Sequence, residues 1–237
     1  MKLKNILKNI FQRVSNFIID DSSYKSKNFE LNNSLSQDKE KALIEILNFI
    51  NNNNFDYFLS GGTLLGIYRD GKLIDWDDDI DIDIFSYSYR SKFNKLLKYS
   101  IEKNYPFKIG SNYFHPKITI YLENTKVSLV AISRGFFKRN YLYRSKYRVP
   151  YKFCRNCIKI KIKNECYGKV PYKTEDYLKY LYGRSWQKPI RWKDDDNNEF
   201  YNFGYIRNGK RYMLLDHFQI LLSKIIYIFV LKTKTFV

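Results

Sequence analysis

Leu59 to Phe85 reads LSGGTLLGIYRDGKLIDWDDDIDIDIF, and its two halves decide the fold. The first half is a short apolar run that ends in Gly61-Gly62. The second is an acid island of Asp75, Asp77, Asp78, Asp79, Asp81 and Asp83, with Lys72 the one basic residue between Asp70 and Asp83. Like charges held this close repel, and hard divalent cations prefer oxygen ligands. Ile80, Ile82 and Ile84 alternate with Asp79, Asp81 and Asp83. Period two predicts a half-buried strand, isoleucines inward and aspartates sharing the other face. Same-face neighbours lie about 7 Å apart along a strand, a spacing at which two carboxylates lean onto one cation or bridge a pair. The competing reading is a solvated edge whose charges discourage aggregation, although edges usually recruit Lys for that purpose.

Upstream, Phe55 to Leu59 (FDYFL) predicts a short buried strand. Gly61 and Gly62 permit a tight turn and close backbone approach to a ligand. Thr63, Leu64, Leu65, Ile67 and Tyr68 then suggest a short helix, whose N-terminus would offer free N–H groups to an anion.

The string GGTLLGIYRDGKLIDWDDDIDI resembles the signature of the LicD family, which includes the fukutin-related proteins. A second, weaker likeness is YLKYLYGRSWQKP, Tyr177 to Pro189. The resemblance implies a nucleotidyltransferase-type fold and transfer of phosphocholine or a polyol phosphate from a CDP-linked donor to a glycan. It implies that Asp79 and Asp81 hold Mg²⁺ or Mn²⁺, and that Gly61, Gly62 and Thr63 form the glycine turn. Asp77 is added as a substrate contact and Asp83 as a catalytic candidate. Arg69 matches the family arginine, and guanidinium geometry suits a phosphate. The sequence departs from the family at Ser128 in VSLVAI (Val127–Ile132), where relatives carry an aspartate that completes the carboxylate set. A slipped alignment, substitution by Glu123 and weakened activity all remain open at this point.

The 237-residue chain as a whole is strongly basic, with a formal net charge of +18. Such a charge favours polyanions: nucleic acid, anionic lipid or phosphorylated glycan. Charge alone does not choose among them, and nucleic acid is the least expected of the three beside the resemblance. Three cysteines (Cys154, Cys157, Cys166) argue against a disulfide framework and fit a reducing cytoplasm. Cys154-x-x-Cys157 has no second pair or nearby His to complete a zinc set.

In chain order, residues 1–35 predict a basic amphipathic helix (Met1 to Asp20) and a polar linker. That helix either lies on an anionic membrane surface or packs on the domain; it lacks the features of a secretory signal. Residues 36–213 form the LicD-like domain. Helices are expected from Ser36 to about Ile50, from Tyr89 to Lys103 and from Thr174 to Gly183. Strands are expected over Lys117–Glu123, Val127–Ile132 and the Ile158/Ile160/Ile162 alternation. Arg134 to Lys163 reads mainly as a basic, tyrosine-rich surface. Residues 214–237 predict an apolar helix whose longest clean run, Ile225 to Leu231, falls well short of the about 20 residues that span a bilayer.

The expectation is therefore an α+β chain: a nucleotidyltransferase-like mixed sheet flanked by helices, with helical extensions at both ends. Its expected partners are a CDP-linked donor and a glycan or lipid-linked glycan acceptor of lipopolysaccharide, capsule or teichoic-acid type. Its expected place is cytoplasmic, including peripheral contact with the inner membrane face. A nucleotidyltransferase acting on a small molecule or RNA, and an inactive basic scaffold, are the alternatives.

Overall fold

The computed structural model describes residues 36–112, 115–134, 139–144, 147–163 and 166–189. The expected N-terminal helix and linker and the C-terminal apolar helix lie outside the described residues.

Helix α1 (Ser36–Asn52) leads into β1 (Tyr57–Leu59), α2 (Gly61–Asp70) and the acidic strand β2 (Asp79–Phe85). Next come α3 (Ser86–Glu102), β3 (Phe107–Asn112), β4 (His115–Leu122) and β5 (Thr125–Arg134). The chain continues through β6 (Tyr141–Arg144), β7 (Tyr147–Pro150), the single turn α4 (Tyr151–Cys154), β8 (Cys157–Lys163), β9 (Cys166–Pro171) and α5 (Thr174–Tyr182). The main sheet runs β1-β2-β5-β4-β3, with β6 and β7 continuing from the far end of β5. Only β2 and β5 pair in parallel among the described strands, which makes the sheet mixed. β8 and β9 form a separate antiparallel ribbon.

The alternation read in the sequence is the geometry of the sheet. Ile80, Ile82 and Ile84 are at most 1% exposed and line one face with Val127 and Leu129 of β5 and Ile118 and Ile120 of β4. Helices α1 and α3 cover that face. From α1 come Leu43, Ile46, Leu47 and Ile50, spaced as one helical stripe and fully buried. Phe49 of α1 stacks on Tyr99 of α3 at 4.0 Å, and Tyr99 and Tyr105 both donate to Glu45, at 3.0 and 2.6 Å. The opposite face carries Asp79, Asp81 and Asp83 in register with Lys126, Ser128 and Val130 of β5. Because β5 is buried on both faces, it reads as a continuous apolar run rather than as an alternation.

Three boundaries differ from expectation. β1 starts at Tyr57 because the Phe55 N–H closes the end of α1 on the Ile50 carbonyl and the Asp56 N–H goes to Ser88 Oγ. The β4–β5 turn is Glu123-Asn124, both with positive φ, which matches the twist of a two-residue hairpin. The basic, aromatic stretch after Arg134 contains two strands, β6 and β7, pinned by Arg134 over Tyr151 (4.2 Å) and Arg148 over Tyr141 (4.8 Å).

The second motif behaves as the sequence indicates. Tyr177 and Leu178 of α5 are buried, Gly183 ends the helix at φ 80°, and Trp186 is 7% exposed. Trp186 packs against Tyr68 of α2, with ring centres 6.2 Å apart. The two family-like segments therefore meet in space. Cys154 and Cys166 are buried free thiols, and burial pushes the Cys157 thiol up to about 11, so none has thiolate character. No helix among the described residues is long and apolar enough to cross a membrane.

Candidate active site

The site begins where β1 turns into α2. The Leu64 N–H makes the first intrahelical bond, to the Ser60 carbonyl at 3.0 Å, which leaves the N–H groups of Gly61, Gly62 and Thr63 at the open helix end. Gly61 has φ 56°, in the left-handed region. A Cβ there would run into the Asp81 carboxylate, and a Cβ on Gly62 would run into that of Asp77. Both glycines are thus needed for close approach, and the turn and the acids lie directly against each other. Two backbone ties lock them together. The Asp81 N–H donates to Thr63 Oγ1 at 2.9 Å, and the Ser60 N–H donates to the Asp81 carbonyl at 3.1 Å.

The acids are crowded. Asp77, Asp78 and Asp79 each bring an oxygen to within 4.8 Å of the others, a cluster that fits a hard cation. Burial, then the charges of Asp79 and Asp81, push the Asp77 carboxyl up to about 7. Burial and Asp81 raise Asp79 as well. Asp83, 2% exposed, is pushed up to about 6 by burial, against the pull of Arg144.

Four protein cations surround the cluster. Lys126 Nζ lies 2.9 Å from Asp79 Oδ2. Arg144, 8% exposed, spans two acids: Nη2 is 2.9 Å from Asp81 Oδ1 and Nε is 2.5 Å from Asp83 Oδ1. Lys117 of β4 stands on the same sheet face, its pKa lowered by burial against the attraction of Asp81 and Asp79. Lys39, 7% exposed on α1, donates to the carbonyls of Asp75 (2.9 Å) and Asp77 (2.6 Å) and so clamps the loop before β2. Lys39→Ala is expected to lower unfolding stability by about 1.5–3 kcal/mol, the range for hydrogen bonds to charged groups, and to weaken divalent binding. Urea midpoints with and without Mg²⁺ check both.

The structure brings together Gly61, Gly62, Thr63, Asp77, Asp79 and Asp81. Asp83 belongs to the same strand face but lies beneath Arg144, so it supports the site from below. Arg69 sits near the C-terminal end of α2, about 12 Å of helix from the glycine turn, and its guanidinium clasps Asp70 at 2.6 and 2.8 Å. Among the described residues, the arginine that bonds Asp81 and Asp83 is Arg144. Ser128 of β5 is in register with Asp81. Glu123 stays exposed in the β4–β5 turn.

The raised acids fix the sign of a pH effect. Between the ordinary carboxylate range near 4 and about pH 7, the folded metal-free chain binds more protons than the unfolded chain. Its stability therefore falls as pH rises through this window, and divalent binding, which favours the ionised acids, tightens. Urea midpoints in EDTA should drop between about pH 5 and about pH 7.5, and addition of Mg²⁺ should flatten or reverse the trend.

Comparison with known proteins gives one family. A model described as LicD/FKTN/FKRP, nucleotidyltransferase domain, matches residues 54–166. No curated protein matches the chain. Among solved structures, the antibiotic-resistance factor ANT(2'')-Ia aligns over 85% of this chain and 97% of its own, at 10% identity and a TM-score of 0.45. An antigenic nucleotidyltransferase-like protein from Paracoccidioides brasiliensis aligns over 58% of this chain and 62% of its own, at 18% identity and a TM-score of 0.38. The family match spans the glycine turn, the acidic strand, Ser128 and Arg144, so this stretch of the chain is similar to the LicD nucleotidyltransferase domain.

Proposed function

We propose that this chain transfers phosphocholine or a polyol phosphate from a CDP-linked donor to a hydroxyl of a cell-surface glycan, with Mg²⁺ or Mn²⁺ as cofactor. The coarser statement, a phosphotransferase-like or nucleotidyltransferase-like enzyme, is supported by the LicD match over residues 54–166. The observation that supports the finer one is the close approach of acids and turn: the carboxylates of Asp77 and Asp81 lie against the N-terminal glycines of α2.

Asp79 and Asp81 would hold the cation, with Asp77 as the third carboxylate beside them. The donor set fits, because it is all oxygen, and Asp81 turns Oδ2 toward Gly61 while Arg144 takes Oδ1. Bound there, a divalent ion supplies charge neutralisation for donor phosphates. The helix end at Gly61, Gly62 and Thr63 receives the diphosphate through backbone N–H groups. Thr63 fixes the strand to that helix end through its hydroxyl. An acceptor oxygen attacks the phosphorus that bears the choline or polyol, its bond to CMP breaks, and CMP leaves. Asp83 is badly placed to take the hydroxyl proton, being buried under Arg144. Asp77 lies against Gly62 and is the better-placed carboxylate to accept that proton.

The family description also supports a second reading, nucleotidyl transfer from an NTP. Thermal unfolding of the full chain with CDP-choline, CDP-ribitol, CDP-glycerol or CTP, each with and without Mg²⁺, separates the two. The proposal expects Mg²⁺-dependent stabilisation by one CDP-linked donor and release of CMP. Stabilisation by CTP with release of pyrophosphate would favour the second reading, and no response to any nucleotide would refute both.

A further inference from the structure

We propose that this site holds one divalent cation rather than two, because the guanidinium of Arg144 stands at the second position. The inference rests on the metal-dependent reading above and concerns this chain's own residues.

Two-metal phosphoryl-transfer sites place their ions about 3.5–4 Å apart, bridged by shared carboxylates. A carboxylate-rich strand such as β2 offers two cation positions in succession. At its outer end, Asp77 and Asp78 converge on Asp79, which with the Oδ2 of Asp81 makes the proposed cation position, and among the described residues the side-chain ion pair there is Lys126 on Asp79 Oδ2. At its inner end, Arg144 bonds both Asp81 and Asp83, at 2.9 and 2.5 Å. A guanidinium stays charged at any working pH and matches two carboxylates through its fork. A divalent ion entering between Asp81 and Asp83 would have to displace a buried, doubly bonded arginine.

The neighbouring strand gives an independent reason. A second ion needs another acid beside Asp81, and the residue in register there is Ser128. Its side chain is 0% exposed, and its hydroxyl has no hydrogen-bond partner among the described residues. A neutral hydroxyl replaces a charged ligand at the place where a second ion would draw on it. Lys117, in register with Val130 on the same face, adds repulsion. The inner end therefore carries a permanent protein cation where a second metal would supply an exchangeable one, and an acceptor hydroxyl meets Arg144 rather than a metal-bound ligand.

Mn²⁺ binding to the full chain in the presence of CDP, counted by electron paramagnetic resonance of free Mn²⁺ and by calorimetry, tests this. The expected count is one per wild-type chain and one for Arg144→Lys. The double variant Ser128→Asp/Arg144→Met, first shown to be folded by its circular dichroism, is expected to bind two. Two ions on the wild type would overturn the inference while leaving the proposed function standing. A folded double variant that still binds one would also overturn it. No ion on the wild type would overturn both. The wild-type count decides even if the double variant does not fold.

Discussion

Asp81→Asn is expected to cut transfer by about 10³-fold or more while leaving the protein as stable as the wild type, or more stable, in EDTA. The loss follows from removing the charge that faces the glycine turn, where transition-state charge stabilisation by a single well-placed group is worth about 10²–10³ and metal coordination adds to it. The retained stability follows from what asparagine keeps. The backbone N–H to Thr63 is untouched, and the side-chain oxygen still accepts from Arg144. Removing the charge also relieves its repulsion of Asp77 and Asp79. A structural role alone would give the reverse pattern, with stability and activity falling together. Turnover of the donor, read beside urea midpoints with and without Mg²⁺, distinguishes them. The stabilisation that Mg²⁺ gives the wild type should vanish in this variant.

Arg144→Met is expected to destabilise the fold by about 3–5 kcal/mol, the range for breaking a buried pair so that one charge stays buried and alone. The orphaned charge is Asp83, 2% exposed at the centre of the strand. For a chain of this size the loss corresponds to about 10 °C or more in thermal midpoint. Adding Asp83→Leu to Arg144→Met should restore most of it, because removing both partners of a buried pair is often nearly neutral. A double-mutant cycle on thermal or urea midpoints measures the coupling. If Arg144→Met alone costs less than about 1 kcal/mol, the Arg144–Asp83 contact does not hold the strand face together.

The part of the site that the sequence shows is the part built from neighbours in the chain. The D-x-D-x-D alternation predicts a strand with one acid face, because side-chain direction in a strand depends only on residue parity. The glycine pair and the helix after it follow from backbone freedom and apolar spacing, both local. The spacing of Leu43, Ile46, Leu47 and Ile50 likewise fixes the buried stripe of α1.

Contacts made across the fold carry no such mark. Arg144 is one of many basic residues in a tyrosine-rich stretch, and it reaches Asp83 only because β6 pairs with the end of β5. Lys39 lies 38 residues before Asp77 and reads as an ordinary solvated charge on a helix, yet it clamps the acidic loop. Arg69 is the converse case. Its place in a motif suggests a phosphate ligand, while its partner among the described residues is Asp70, at the end of α2 away from the turn. Ser128 was visible as a departure from the family. That it faces Asp81 across a parallel pair needed the strand register.

Calorimetric binding of CDP to the full chain, with and without Mg²⁺, tests the central claim most directly when repeated on Asp79→Asn/Asp81→Asn. The account predicts tight binding only when Mg²⁺ and both carboxylates are present. Equal affinity without Mg²⁺, or in the double variant, would contradict it.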